Sequence, residues 1–142
     1  MAIALAAICF AGALNVFAEQ KIEYGSKAEM RGAKVVFVET ATNIDFRENV
    51  VAALKRELPS ITISDRQDDT VDLILQFQVE SEGDGKGEAS LLVLGQAKAP
   101  ESVRILAKYE DSKSSIWTSK LSAVLTKRFI RDFRAENDTG KT

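Results

Sequence analysis

Residues 33–64 read "AKVVFVETATNIDFRENVVAALKRELPSITIS", and the fold turns on this stretch. Ala33 to Thr40 is a continuous apolar run rich in β-branched residues, the pattern of a strand buried on both faces. Asp45 and Glu48 then stand three apart, Asp-x-x-Glu, as a capping box that opens a helix. Phe46, Val50, Leu54 and Leu58 recur at four-residue spacing with Ala53 beside them, which lays one apolar stripe along that helix. Pro59 stops it. Ile61 and Ile63 alternate through "SITIS" as a short strand. Strand, helix and strand joined by tight connections predict a right-handed βαβ unit, with its helix over about 44–58.

Alternation governs the next part of the chain. In "VDLILQFQVE" (71–80), Val71, Leu73, Leu75, Phe77 and Val79 fall on one face. Asp72, Gln76, Gln78 and Glu80 fall on the other, with Ile74 the exception, so this is a half-exposed strand. "EASLLVLGQ" and "SVRILAKYE" read as two more strands, separated by the turn "AKAPE". "DSKSS" (111–115) reads as a turn and "IWTSKL" (116–121) as a closing strand, with Trp117 in the core beside the last helix. In "SAVLTKRFIRDFRAEN", Leu125, Phe129 and Phe133 stand four apart with Val124 and Ile130 beside them, which predicts an amphipathic helix over about 122–136. The expected fold is α+β: a mixed, mostly antiparallel sheet of five or six strands with both helices packed on it. Residues 33–136 are expected to form this single domain, after a loose lead-in (19–32) and before a disordered tail (137–142).

Composition narrows the chemistry. A chain of 142 residues is one domain's worth, and an apolar share of 45 % is enough to give it a core. Net charge is -2, which supplies no general attraction to nucleic acid. Histidine is absent, and with it the commonest general base and zinc ligand. Cys9, the one cysteine, lies in the apolar N-terminal run, so thiol chemistry is excluded from the body. That run, "MAIALAAICFAGALNVFAEQ", is apolar from Ala2 to Phe17 and ends in Val16-Phe17-Ala18 before polar Glu19. It reads as a secretory signal (1–18) cleaved after Ala18. The product is expected in the periplasm or secreted, with no transmembrane span once the signal is removed.

Four features could carry a site. "ESEGDGKGE" (80–88) mimics the first half of a calcium loop, with Gly85 at position six counting from Glu80. Position twelve, where a bidentate Glu is needed, is Leu91, and the flanks are strands, so the stretch reads as a hairpin loop. "GKT" at 140–142 lacks the earlier glycine of a phosphate loop, since Ala135 stands there. Asp65, Asp68, Asp69 and Asp72 cluster, but no base-oriented nucleophile accompanies them, and a solvated turn explains them. Lys127, Arg131 and Arg134 fall at i, i+4 and i+7 of the last helix and share a face, which makes them the candidate contact for an acidic partner or lipid headgroups. No residue is expected to hold a metal or cofactor. Asn137-Asp138-Thr139 also matches a glycosylation sequon.

The order of the pieces is familiar. "KVVFVET", a helix ending in "LKRELP", "ITISD", then "DDTVDLILQFQVE", and later "SSIWTSKLS" with "VLTKRFIRDF", resemble small bacterial envelope proteins with a TolB N-terminal or CsgG-like α+β domain. The resemblance covers most of residues 33–135. It implies a non-enzymatic domain of an exported bacterial protein and carries over no binding residue. The expected function is therefore an accessory or interaction domain of the cell envelope with a protein partner. A periplasmic carrier of a small ligand or lipid component is the alternative.

Overall fold

The computed structural model describes residues 21–40, 44–82, 86–113 and 118–138. A short strand, β1 (Lys21–Tyr24), and one turn of 3-10 helix (Lys27–Met30) come first. The βαβ unit is next in the chain: β2 (Val35–Thr40), α1 (Ile44–Glu57) and β3 (Thr62–Ile63), with Val35 opposite Thr62 and Val36 opposite Ile63 in parallel register. Three long strands, β4 (Leu73–Glu82), β5 (Lys86–Gly95) and β6 (Ser102–Lys113), lead to the last helix, α2 (Thr118–Asp138).

The fold is α+β, with one six-stranded mixed sheet in the order β1-β6-β5-β4-β2-β3. Hairpin connections make β4, β5 and β6 an antiparallel meander with the longest ladders. The three pairings outside it, β1 with β6, β2 with β4 and β2 with β3, are parallel. The expected antiparallel majority therefore holds for the centre of the sheet and fails at its flanks, where the chain arrives by crossovers.

Both helices pack on one face. Val50, Leu54 and Leu58 of the α1 stripe and Leu121, Leu125, Phe129 and Phe133 of α2 are buried against Val36, Val38, Leu75, Leu91 and Val93. Phe129 and Phe133 also touch, ring centroids 5.6 Å apart and tilted 47°. The opposite face carries a smaller cluster, Val71, Ile74, Leu94 and Val103, flanked by half-buried Val35 and Phe37. Ile74, the break in the alternation, belongs there, and so do the residues that make β2 read as apolar on both sides.

Two boundaries differ from the sequence reading. The lead-in is structured. β1 lies parallel to β6, Ile22 opposite Val103 and Tyr24 opposite Ile105, and Met30 is fully buried. Arg104 bonds Glu29 at 2.8 Å and Glu23 at 3.3 Å, and Glu23 in turn accepts from the Lys98 and Ala99 amides. Gly32, at φ 81 before β2, takes the left-handed turn that favours glycine. At the other end, Asn137 and Asp138 are helical rather than tail. Asn137 Oδ1 accepts from Gly32 N at 2.7 Å, and its Nδ2 donates to Phe133 O and Met30 O. Both ends of this sequon asparagine's amide are thus engaged inside the fold.

The expected closing strand at 116–121 is also revised. β6 runs on through Lys113, and Thr118–Leu121 are helix. Leu121 is fully buried and sits four residues before Leu125, so it extends the α2 stripe by a turn. The sixth strand comes from the lead-in instead. Residues 1–18, Trp117 and residues 139–142 lie outside the described residues.

Candidate functional site

Because both apolar stripes face the sheet, the outer surfaces of α1 and α2 are polar and lie side by side. Their C-terminal ends meet where Arg134 Nη2 donates to the Glu57 carbonyl at 2.8 Å and to Glu57 Oε1 at 2.9 Å. The last carbonyls of a helix lack intrahelical partners and sit at its negative pole, so a guanidinium there is favourable twice over. Between the helices runs a groove of about 490 Å³, bounded by Asn49 and Ser122 towards the helix starts and by Glu57 and Arg134 at their ends.

The floor of the groove is apolar, formed by Val50, Ala53 and Ile130. Ser122 and Thr126 line one wall, and the buried Thr126 hydroxyl is satisfied by donating to Ser122 O at 2.7 Å. Ala123, exposed, leaves that wall low. The rim carries Arg56, Lys127, Arg131 and Arg134 against a single carboxylate, Glu57. Four cations to one anion, in a chain of net charge -2, make this a local reversal of the overall sign.

The structure thus brings Lys127, Arg131 and Arg134 together on one rim, and it separates their roles. Lys127 is exposed, and its ammonium makes no hydrogen bond or ion pair among the described residues. Arg131 Nε donates to Asp132 Oδ1 at 3.0 Å. Arg134 clamps the end of α1. Arg56, not singled out from the sequence, is the fourth member and bonds its neighbour Glu57 at 3.2 Å. The Glu57 carboxyl is held below its ordinary value by the hydrogen bonds from Arg56 and Arg134. Nothing local marks Arg56, because its groove neighbours on α2 lie in a distant part of the chain.

Behind the rim, Asp132 is a hub. It accepts from Tyr109 Oη at 2.6 Å and pairs with Lys27 Nζ at 2.8 Å and with Arg131. Burial pushes its carboxyl up, but the bonds from Lys27, Tyr109 and Arg131 outweigh this and lower it to about 2. Burial, and then the Asp132 carboxylate, push the Tyr109 hydroxyl above its ordinary value.

The other sequence candidates fall elsewhere on the fold. The β4–β5 ladder continues to the pair Glu82 and Lys86, so "ESEGDGKGE" spans a hairpin whose residues 83–85 lie outside the described residues. Leu91, at the twelfth calcium-loop position, is fully buried in the core. Asp72 Oδ2 accepts from the Lys34 and Val35 amides, both at 2.9 Å, and Asp68 accepts from the Thr70 amide and hydroxyl. Asp65 and Asp69 are exposed. A recess of about 680 Å³ lies between this turn and the β5–β6 connection, floored by Val71, Ile74 and Leu94. No helix among the described residues is long and apolar enough to cross a membrane.

No family model matches the chain, and no curated protein matches it. Among solved structures it is similar to the crystal structure of an uncharacterized protein, at 16 % identity over 82 % of this chain and 86 % of that one, with a TM-score of 0.32. A likeness of that degree carries no argument.

Proposed function

We propose that this chain is an exported, non-enzymatic accessory domain of the bacterial cell envelope whose work is to bind another protein. The observation that carries the reading is the groove between α1 and α2: a rim of four cations and one carboxylate over an apolar floor, on a chain that is acidic overall. Surfaces of this make-up steer an oppositely charged partner and then hold it by apolar contact. The N-terminal run ending in Val16-Phe17-Ala18 supports export to the periplasm or beyond. The resemblance to TolB N-terminal and CsgG-like domains supports the envelope. The absence of histidine, and of cysteine after Cys9, supports a binding role over a catalytic one.

The test is crosslinking in intact cells, followed by purification and mass spectrometry. One envelope protein recovered reproducibly, with N-terminal sequencing of the product starting at Glu19, is the expected result. A full-length cytoplasmic product, or no specific partner, would remove the reading. The carrier alternative draws on the recess floored by Val71, Ile74 and Leu94. It would be favoured by a small molecule that copurifies and is released on mutating Ile74.

A further inference from the structure

We propose that the occupant of the groove is an acidic amphipathic helix of the partner, laid lengthwise between α1 and α2; this rests on the interaction-domain reading above. Charge comes first. The rim's four cations against one carboxylate call for an anionic occupant. Spacing comes second. Lys127, Arg131 and Arg134 step along α2 over about 10 Å, two helical turns, so they match carboxylates repeated at i, i+4 and i+7 on a facing helix.

The floor decides between a helix and a lipid. Val50 and Ile130 are already only 2 % and 5 % exposed, so the groove offers a shallow apolar strip and not a chamber. A lipid tail needs most of its surface covered. An amphipathic helix needs one stripe covered and keeps its polar face in water. Ala53 and Ala123 line the groove with small side chains, which allows another helix to approach within the usual separation of about 8–10 Å between axes.

The experiment titrates the purified mature protein with a labelled helical peptide of about 18 residues, roughly five turns, with leucine on one stripe and glutamate elsewhere. A second peptide has lysine for glutamate, and phosphatidylglycerol vesicles are the third probe. Ala123→Trp fills the groove from an exposed position, and Lys127→Glu reverses the one rim cation that has no partner among the described residues. The glutamate peptide is expected to bind, more weakly as salt rises. Its affinity should fall about tenfold in Lys127→Glu and vanish in Ala123→Trp, while the lysine peptide and the vesicles do not bind. Equal binding of the two peptides, or undiminished binding to a folded Ala123→Trp, overturns the proposal. So does vesicle binding that Ala123→Trp abolishes, which would make a lipid headgroup the occupant. In cells, a partner crosslinked equally well by Ala123→Trp overturns the groove helix but leaves the interaction domain standing. No partner crosslinked by the wild type removes the interaction domain itself.

Discussion

Leu54→Ala tests the packing on which everything else depends. Leu54 is fully buried at the middle of the α1 stripe, in one cluster with Val36 and Val38, which are also fully buried. Truncation to alanine removes the equivalent of three methylenes, about 2.4 kcal/mol of transfer free energy at ~0.8 kcal/mol each. A cavity term adds to this wherever the surroundings fail to close in. Here one wall is the hydrogen-bonded sheet, which cannot follow a retreating side chain, so a loss of about 3–4 kcal/mol is expected. Against a total stability of roughly 5–15 kcal/mol for a domain, that is about a fifth or more. The assay is urea denaturation. With a slope of about 1–3 kcal/mol per molar, the midpoint should fall by about 1–4 M while the slope stays constant. The neighbouring Lys55→Ala, at an exposed position, should stay within about 0.5 kcal/mol of wild type. If Leu54→Ala behaves like Lys55→Ala, then α1 does not pack on β2 and the groove has no rigid wall.

Three further outcomes are expected. Asp132 titrates at about 2 in the fold against an ordinary 3.8, so its folded value is depressed. The stability it contributes is complete above pH 3.8 and is lost as pH falls towards 2, so the difference in melting temperature between wild type and Asp132→Asn should be constant above about pH 5 and shrink below about pH 4. A difference that stays flat down to about pH 2 would refute the hub. Glu39 behaves in the opposite sense: burial raises its carboxyl, with the Gln76 hydrogen bond opposing. Its ionisation therefore destabilises the fold as pH rises through its raised value, so Glu39→Gln should melt higher than wild type at about pH 7 and lose that advantage in acid; a lower melting point at neutral pH would contradict this. Asn137→Ala removes the acceptor of the Gly32 amide and the donor to Met30 O and Phe133 O, at a cost of about 1–3 kcal/mol. Hydrogen exchange at Gly32 should accelerate while that of β5 does not; unchanged exchange at Gly32 would dissolve the clasp.

The parts legible in the sequence are those whose pattern is local. Val50, Leu54 and Leu58 declare α1 by spacing, and the core lies where they point. Lys127, Arg131 and Arg134 share a helix face in the sequence and a groove rim in the structure. The rest depends on residues distant in the chain. β1 has four residues and two of them charged, too little for alternation to register; its place comes from register with Ser102–Ile105. The "DSKSS" stretch reads as a turn because Asp111–Lys113 are polar, yet they continue the β5–β6 ladder, where partner strand and not side-chain pattern supplies the structure. Arg56 is invisible for a related reason. It is one of two adjacent cations at a helix end, and only the arrival of α2 gives it company.

The far-reaching bonds of residues 21–32 also set the order in which the chain can close. Arg31 and Gly32 are held by Glu136 and Asn137, 105 positions away, and Asn137 reaches Met30 across 107. Lys27 waits for Asp132, and β1 waits for β6. Apart from β6, none of these partners exists until the final helix has been synthesised. Topologies with contacts this far apart fold slowly, because a long loop must close before any bond compensates for it. The leading segment therefore closes in two stages, β1 on β6 first and residues 27–32 on the last turns of α2 only when the chain is complete.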